Sequence, residues 1–204
     1  MTKYSRTNKI KFQFFALMLG LFIFGCESND PQKEDTPELI TKATLTFTPE
    51  GGGAIVKVTA SDPDGEGVQD ITVDGAINLA SGVTYTLKLS LINELAEVSS
   101  PEYDITEEVK EEGGEHMFFY AWTDGIFSDP TGDGNIDNRD GLVNYQDEDA
   151  GGLPIGITTK WTAGAASSGT FRIVLKHQPE LKTTTSSVDT GETDLDIEFE
   201  IIVN

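Results

Sequence analysis

Residues 194–203 read Asp-Leu-Asp-Ile-Glu-Phe-Glu-Ile-Ile-Val. Apolar side chains occupy every second position from Leu195 to Val203, and the positions between them from Asp194 to Glu200 are acidic. A period of two is typical of a strand that buries one face and exposes the other. The segment therefore predicts a half-buried β-strand with its acidic side chains, Asp194 included, in solvent.

Seven segments before it also have strand character, either by alternation or by a high content of β-branched and aromatic residues. They are Leu39–Thr48, Ala54–Ala60, Ile71–Val73, Gly82–Leu91, His116–Trp122, Ile155–Thr162 and Thr170–His177. The segment His116–Trp122 is apolar on both faces, which predicts a central strand. Seven or eight short strands separated by turn residues predict an all-β fold, an antiparallel β-sandwich of the Ig-like kind.

Two other segments complete the predicted domain, residues 39–204. Asp104 followed by Glu107 fits a capping box, and Ile105 and Val109 share one face, so a single short helix is expected here. Residues 124–152 form an acidic, glycine-rich insertion that is too long for a passive connection.

The first 25 residues have the pattern of an export signal. Four basic residues between Lys3 and Lys11 precede an apolar run from Phe12 to Phe24, and the only cysteine, Cys26, follows Gly25. This end resembles the lipobox of bacterial lipoproteins, which implies that Cys26 becomes the lipid-modified first residue; the alternative is an ordinary secretory signal. Residues 26–38 are then a flexible acidic tether.

The charge balance limits the partners. Residues 1–25 hold four of the 14 basic residues and none of the 35 acidic ones, which leaves a net charge of −25 for the rest of the chain. A surface this acidic repels nucleic acid and attracts cations. Acyl chains on Cys26 would provide attachment to the bilayer.

The sharpest motif in the chain, residues 129–140, has the spacing of a calcium-binding loop. Oxygen-bearing side chains fall at positions 1, 3, 5, 9 and 12, and a glycine falls at position 6. The spacing resembles an EF-hand loop of the dockerin form. The resemblance implies a structural Ca²⁺ ion held by Asp129, Thr131, Asp133, Asn135 through its carbonyl, Asp137 and Asp140. The alternative is a solvated acidic loop.

Two weaker calcium candidates lie in other acidic stretches. The first is Asp62, Asp64 and Glu66, within a turn that resembles those of extracellular Ig-like and cadherin-like domains. The second is Asp147 and Asp149, within the long insertion. For both, a plain Asp-rich turn is the competing interpretation.

The chain has two histidines, His116 and His177, each at the end of a predicted strand. If these strands are antiparallel neighbours, the imidazoles meet at one end of the sandwich. With Glu107, Glu115 or Glu180 they would suit Zn²⁺ or Cu²⁺. The alternative is a pair of unrelated histidines.

No motif for catalysis is present: the sequence has no nucleophile elbow, no His-Glu-x-x-His and no phosphate-binding glycine loop, so a non-enzymatic protein is predicted.

A lipobox, an acidic tether and a compact β domain together resemble the small envelope lipoproteins that gram-negative bacteria encode beside TonB-dependent receptors. The resemblance implies an outer-membrane accessory that captures a ligand or metal. The alternatives are a carbohydrate-binding or adhesive lipoprotein, with Trp122 and Trp161 as a sugar platform unless they pack in the core, and a purely structural envelope protein.

Overall fold

The computed structural model describes residues 38–65 and 70–204, which fold into two β-sheets with one short helix. The strands are β1 Lys42–Pro49, β2 Val56–Ser61, β3 Thr72–Asp74, β4 Ile77–Leu79, β5 Thr84–Ile92, β6 His116–Trp122, β7 Phe127–Asp129, β8 Thr158–Ala163, β9 Ser167–His177 and β10 Glu192–Val203. A 3₁₀ turn, Pro101–Tyr103, precedes helix α1, Ile105–Glu111. The predicted all-β, sandwich-like class is confirmed.

The six-stranded sheet has the order β3-β2-β1-β5-β8-β7, and the four-stranded sheet has the order β4-β10-β9-β6. All neighbouring strands are antiparallel except β4 and β10, which are parallel. The three-residue strands β4 and β7 were not predicted, although the equally short β3 was.

The alternation in the sequence places the core between the sheets. From Leu195 to Val203 the apolar side chains of β10 are almost fully buried. Trp161 is completely buried, and its ring centroid lies 5.0 Å from that of Trp122 and 4.7 Å from that of Phe127. Both tryptophans thus pack in the core, and neither is available as a sugar platform.

Helix α1 begins where the capping box predicts. The Asp104 carboxylate accepts hydrogen bonds from the amides of Thr106 (3.1 Å) and Glu107 (3.4 Å). The Thr106 hydroxyl accepts a hydrogen bond from the amide of Leu91 and donates one to its carbonyl, which fixes the helix to β5. The first turn of α1 is therefore anchored to β5.

The prediction that β6 is a central strand is wrong, because β6 is an edge strand of the four-stranded sheet. The long insertion covers its outer face and its edge. Met117 and Phe119 pack against Ile136 in a second apolar cluster, and Gly134 forms a β-bridge with Ala121. Both faces of β6 are apolar for that reason.

In residues 38–65 and 70–204 no helix is both long enough and apolar enough to span a bilayer.

Candidate metal site

The two histidines meet at one end of the sandwich. His116 of β6 pairs directly with His177 of β9, and their rings stack with centroids 4.7 Å apart and planes inclined by 9°. Both are buried and lie on the sheet face that carries the core side chains. The condition set by the sequence, antiparallel neighbouring strands, is met.

The end of α1 determines which nitrogen of His116 faces the site. Nδ1 lies 3.2 Å from the carbonyl oxygen of Glu112. A carbonyl oxygen only accepts hydrogen bonds, so this contact assigns the proton to Nδ1 and leaves the lone pair on Nε2 in the neutral ring. A ring N–H donated to a backbone carbonyl is the usual support of a metal-binding histidine.

Carboxylates surround the Nε2 atom of His116. Glu38 Oε1 and Asp194 Oδ2 each lie 3.8 Å from it, and both side chains are buried. Ligand atoms of Glu38, Glu112 and His116 all lie within 4.8 Å of one another. Within residues 38–65 and 70–204 this is the one group of three or more such side chains that could share an ion.

Asp194 reaches this cluster because β10 is irregular. The register between β9 and β10 shifts between Thr193 and Leu195, as in a β-bulge. The extra residue turns the Asp194 side chain inward, where it is 0% exposed. The prediction that Asp194 faces solvent is therefore wrong, while Asp196, Glu198 and Glu200 are exposed as expected.

Burial changes the acidity of Asp194. Desolvation raises the pKa of its carboxyl from 3.8 to about 7, although the charge of His177 and the hydrogen bond from the Glu38 amide act in the opposite direction. That amide donates to Oδ1 over 3.3 Å. Oδ2 is buried and has no hydrogen-bond partner in the described part of the chain.

In the ion-free protein, the contribution of Asp194 to the free energy of unfolding is expected to fall as the pH rises from about 4 to about 7. The folded carboxyl keeps its proton up to about pH 7, whereas the unfolded one loses it near 3.8. The folded state therefore binds more protons in this window, and about 3–4 kcal/mol of stability is lost across it. Denaturant unfolding of the wild type and of Asp194→Asn, both in chelator, measures the difference between them at each pH. A difference that does not change with pH contradicts this prediction.

A cavity of about 270 Å³ opens beside the cluster. Its lining includes Glu38, Asp62 and Asp194 together with apolar side chains of Ile40 and Leu195. The carboxylates in its lining give this cavity a negative potential, which attracts cations.

His177 lies beside the cluster, but it is not oriented to bind the same ion as His116. Nitrogen lone pairs lie in the plane of an imidazole ring, so those of two stacked, nearly parallel rings do not converge on one ion. His177 Nε2 instead lies 3.6 Å from Glu115 Oε2. Of the other predicted companions, Glu107 forms an exposed ion pair with Lys110, and Glu180 is exposed in the loop after β9.

The predicted calcium loop adopts no helix, and its carboxylates do not come together. Asp129, Thr131, Asp133, Asp137 and Asp140 are all exposed. No three carboxylates of the loop, all of which belong to the described residues, approach closely enough to share an ion. The calcium loop stays a prediction.

Two positions of that motif have a structural role of their own. The amide side chain of Asn135 is buried, accepts a hydrogen bond from the Tyr120 amide (2.9 Å) and donates one to the Tyr145 hydroxyl (2.8 Å). Gly134 has a φ of +103°, and a Cβ there would lie 2.0 Å from the Tyr120 carbonyl oxygen. Both residues attach the insertion to the edge of β6.

The weaker calcium candidates separate into three cases. Asp147 accepts hydrogen bonds from the amides of Gly156 and Thr158, and Asp149 accepts them from Gly151 and Leu153, so these carboxylates hold the insertion together. Asp62 and Asp64 are partly buried in the loop after β2. Glu66 lies outside the described residues, as does Cys26.

Sequence reasoning found His116 but not the carboxylates around it. Glu112 precedes His116 by four residues across a helix end, and Asp194 looks like part of a regular alternation. Glu38 is the last residue of the predicted tether, yet its side chain is buried. A bulge, a helix end and a segment with the composition of a linker leave no periodic signal that would have indicated these carboxylates.

The cluster thus combines one buried imidazole with three carboxylates, taken from the N-terminal segment, the end of α1, β6 and β10. One nitrogen and several oxygens are a donor set for borderline divalent metals. Comparison of the chain with protein-family models, curated proteins and solved structures finds no match.

Proposed function

We propose that this protein is an envelope lipoprotein, anchored in the bilayer through acylated Cys26, whose β-sandwich binds a divalent transition-metal ion at the cluster around His116. It would serve as a non-enzymatic accessory to uptake across the outer membrane. The observation that supports metal binding is the Nε2 atom of His116, which lies 3.8 Å from each of two buried carboxylates.

The electrostatics of the cluster favour a bound cation. Carboxylates that share a buried space repel one another and lose hydration, and an ion of double positive charge offsets both costs. The Nδ1–H bond to the Glu112 carbonyl places the lone pair of the neutral ring on Nε2, the nitrogen that faces Glu38 and Asp194. Because the side chains of this cluster are buried, they suit the capture of an ion better than the rapid exchange of small-molecule substrates.

The location and partner in this proposal rest on the N-terminal segment. An acylated Cys26 followed by the tether would hold the domain near a membrane, where a TonB-dependent receptor is the proposed partner. Mass spectrometry of the processed chain should find the acyl groups on Cys26, and Cys26→Ser should lose them. A processed chain that begins elsewhere and carries no lipid would contradict the anchor but not the metal site.

Zinc is expected to stabilise the full chain, purified in detergent and stripped with a chelator. An ion that binds only the folded state at 100 times its Kd adds about 2.7 kcal/mol, which raises Tm by about 5–10 °C for a domain of this size. His116→Gln should abolish the rise, whereas His177→Gln, its stacked neighbour, should retain it. An equal rise in wild type and His116→Gln, or none in wild type, would overturn the proposed site.

The same titration with Ca²⁺ tests the structural calcium that we propose for residues 129–140. A rise in Tm that Asp133→Ala removes and His116→Gln keeps would assign calcium to the loop. No rise with Ca²⁺ would remove calcium from the proposal, since the loop side chains are exposed and ordinary solvation would then suffice.

A further inference from the structure

We infer that Asp194 is a direct ligand of the ion, which makes the cluster a site of one nitrogen and three oxygen ligands for a borderline divalent ion such as Zn²⁺, Mn²⁺ or Fe²⁺. The inference rests on the proposed function and adds to it a ligand and an ion class. In this site Oδ2 of Asp194 joins Nε2 of His116 and the carboxylates of Glu38 and Glu112.

The first argument is the bulge itself. In an unbroken alternation Asp194 would lie on the same face as Asp196 and Glu198, which are exposed. The register shift after Thr193 reverses the direction of this one side chain and then restores the alternation from Leu195 onward. Bulges often redirect a side chain beside a functional site, and here the redirected side chain is a carboxylate.

The second argument is the environment of its oxygens. Oδ1 accepts the Glu38 amide, but Oδ2 is buried without a hydrogen-bond partner in residues 38–65 and 70–204. A buried carboxylate oxygen that lacks a partner is destabilising, because it has lost its hydration without gaining a hydrogen bond in return. An ion between Oδ2 and Nε2 of His116 would satisfy this oxygen.

The third argument is the spacing. Four ligands held tetrahedrally at about 2.1 Å from an ion lie about 3.4 Å from one another. The observed 3.8 Å from Nε2 to Glu38 Oε1 and to Asp194 Oδ2 is close to this value. The ligand atoms of Glu38, Glu112 and His116 lie within a wider limit of 4.8 Å, so the group has to contract around an ion. Changes in side-chain torsion angles can provide this movement while the backbone of the strands stays in place.

The donor types narrow the class of ion. Ca²⁺ and Mg²⁺ prefer ligand sets made only of oxygen, so the presence of an imidazole nitrogen among the ligands disfavours these two ions. Cu(I) prefers sulfur, and the four side chains of the cluster, Glu38, Glu112, His116 and Asp194, carry none. Zn²⁺, Mn²⁺, Fe²⁺ and the probe ion Co²⁺ accept one imidazole together with carboxylates.

Asp194→Asn tests the inference because it keeps Oδ1 as an acceptor for the Glu38 amide and removes the anionic oxygen. In the full chain in detergent, Zn²⁺ affinity is expected to fall by at least about 10–100-fold, the loss that even an outer-shell change commonly causes. The visible Co²⁺ spectrum should also change in shape and intensity, because it reports the ligand set. Asp196→Asn, two residues further along β10 and exposed, is the matched control and should change neither.

A second variant gives a positive signal. Asp194→Cys places a thiolate at this position, and Co²⁺ should then show a near-ultraviolet thiolate charge-transfer band that the wild type, which already contains Cys26, lacks. The absence of this band in a folded variant that binds Co²⁺ would overturn the inference. So would an Asp194→Asn protein with the wild-type Zn²⁺ affinity and Co²⁺ spectrum, or an equal loss in Asp196→Asn. If the inference about Asp194 fails in one of these ways, wild-type Zn²⁺ binding that depends on His116 still supports the proposed function. A wild type that binds no ion overturns both the proposed function and the inference.

Discussion

Replacing Asp149 by alanine is expected to lower the free energy of unfolding by about 3–5 kcal/mol, the usual cost of removing one partner of a buried ion pair. The Lys182 ammonium lies 2.8 Å from Asp149 Oδ2, and the two side chains are 1% and 4% exposed. Lys182 also donates to the Gly113 carbonyl, so the pair joins the insertion, the end of α1 and the loop after β9. Without Asp149 the buried ammonium of Lys182 loses its anionic partner, and the amides of Gly151 and Leu153 lose their acceptor.

Glu94→Ala is the matched control for this pair. Lys42 and Glu94 are 2.9 Å apart, but their side chains are 34% and 50% exposed, so water and salt screen the interaction. We expect this change to cost no more than about 1 kcal/mol. Denaturant unfolding of both variants measures the contrast, and equal costs would show that burial of the Lys182 pair has no special effect.

Gly134→Ala is expected to cost about 3–5 kcal/mol, from backbone strain at positive φ together with overpacking. The added Cβ would lie 2.0 Å from the Tyr120 carbonyl oxygen and 2.8 Å from Ala121 Cα. Both are backbone atoms of β6, which cannot move aside as a flexible side chain can. The insertion would therefore have to separate from the edge of the sheet.

Gly132→Ala separates the two causes of that loss. Gly132 belongs to the same motif and has a φ of +93°, but no atom lies within 4 Å of the position that a Cβ would take. Strain alone should cost about 1–2 kcal/mol there. Similar losses in the two variants, measured by thermal unfolding without calcium, would show that the close approach to β6 is unimportant.

The sequence patterns identified the strands whose burial alternates along their own length. β1, β5 and β10 bury alternate residues, so a window of eight or more residues contains the whole signal. β6 has no such alternation, because residues far along the chain cover its outer face. Its apolar composition therefore indicated burial correctly and its place in the sheet wrongly.

The candidate site was harder to predict from the sequence than the strands were, because its geometry depends on strand order. The pairing of His116 with His177 requires β6 and β9 to be neighbours, which no local pattern determines. Asp194 enters through a one-residue irregularity, and Glu38 enters from a segment with the composition of a linker. Long-range packing, rather than local preference, assembled these ligands.

The insertion over β6 also bears on how copies of this protein behave towards one another. An exposed apolar edge strand is a template onto which a strand of another chain can add. The carbonyls of Asp133 and Ile155 accept hydrogen bonds from amides of β6, and Asn135 bonds to both the amide and the carbonyl of Tyr120, so these groups of β6 are occupied. If the protein is concentrated on a membrane surface, as we propose, encounters between copies are frequent, and the acidic insertion would both block strand addition and add electrostatic repulsion. Removal of the insertion should therefore favour self-association as well as weaken the domain.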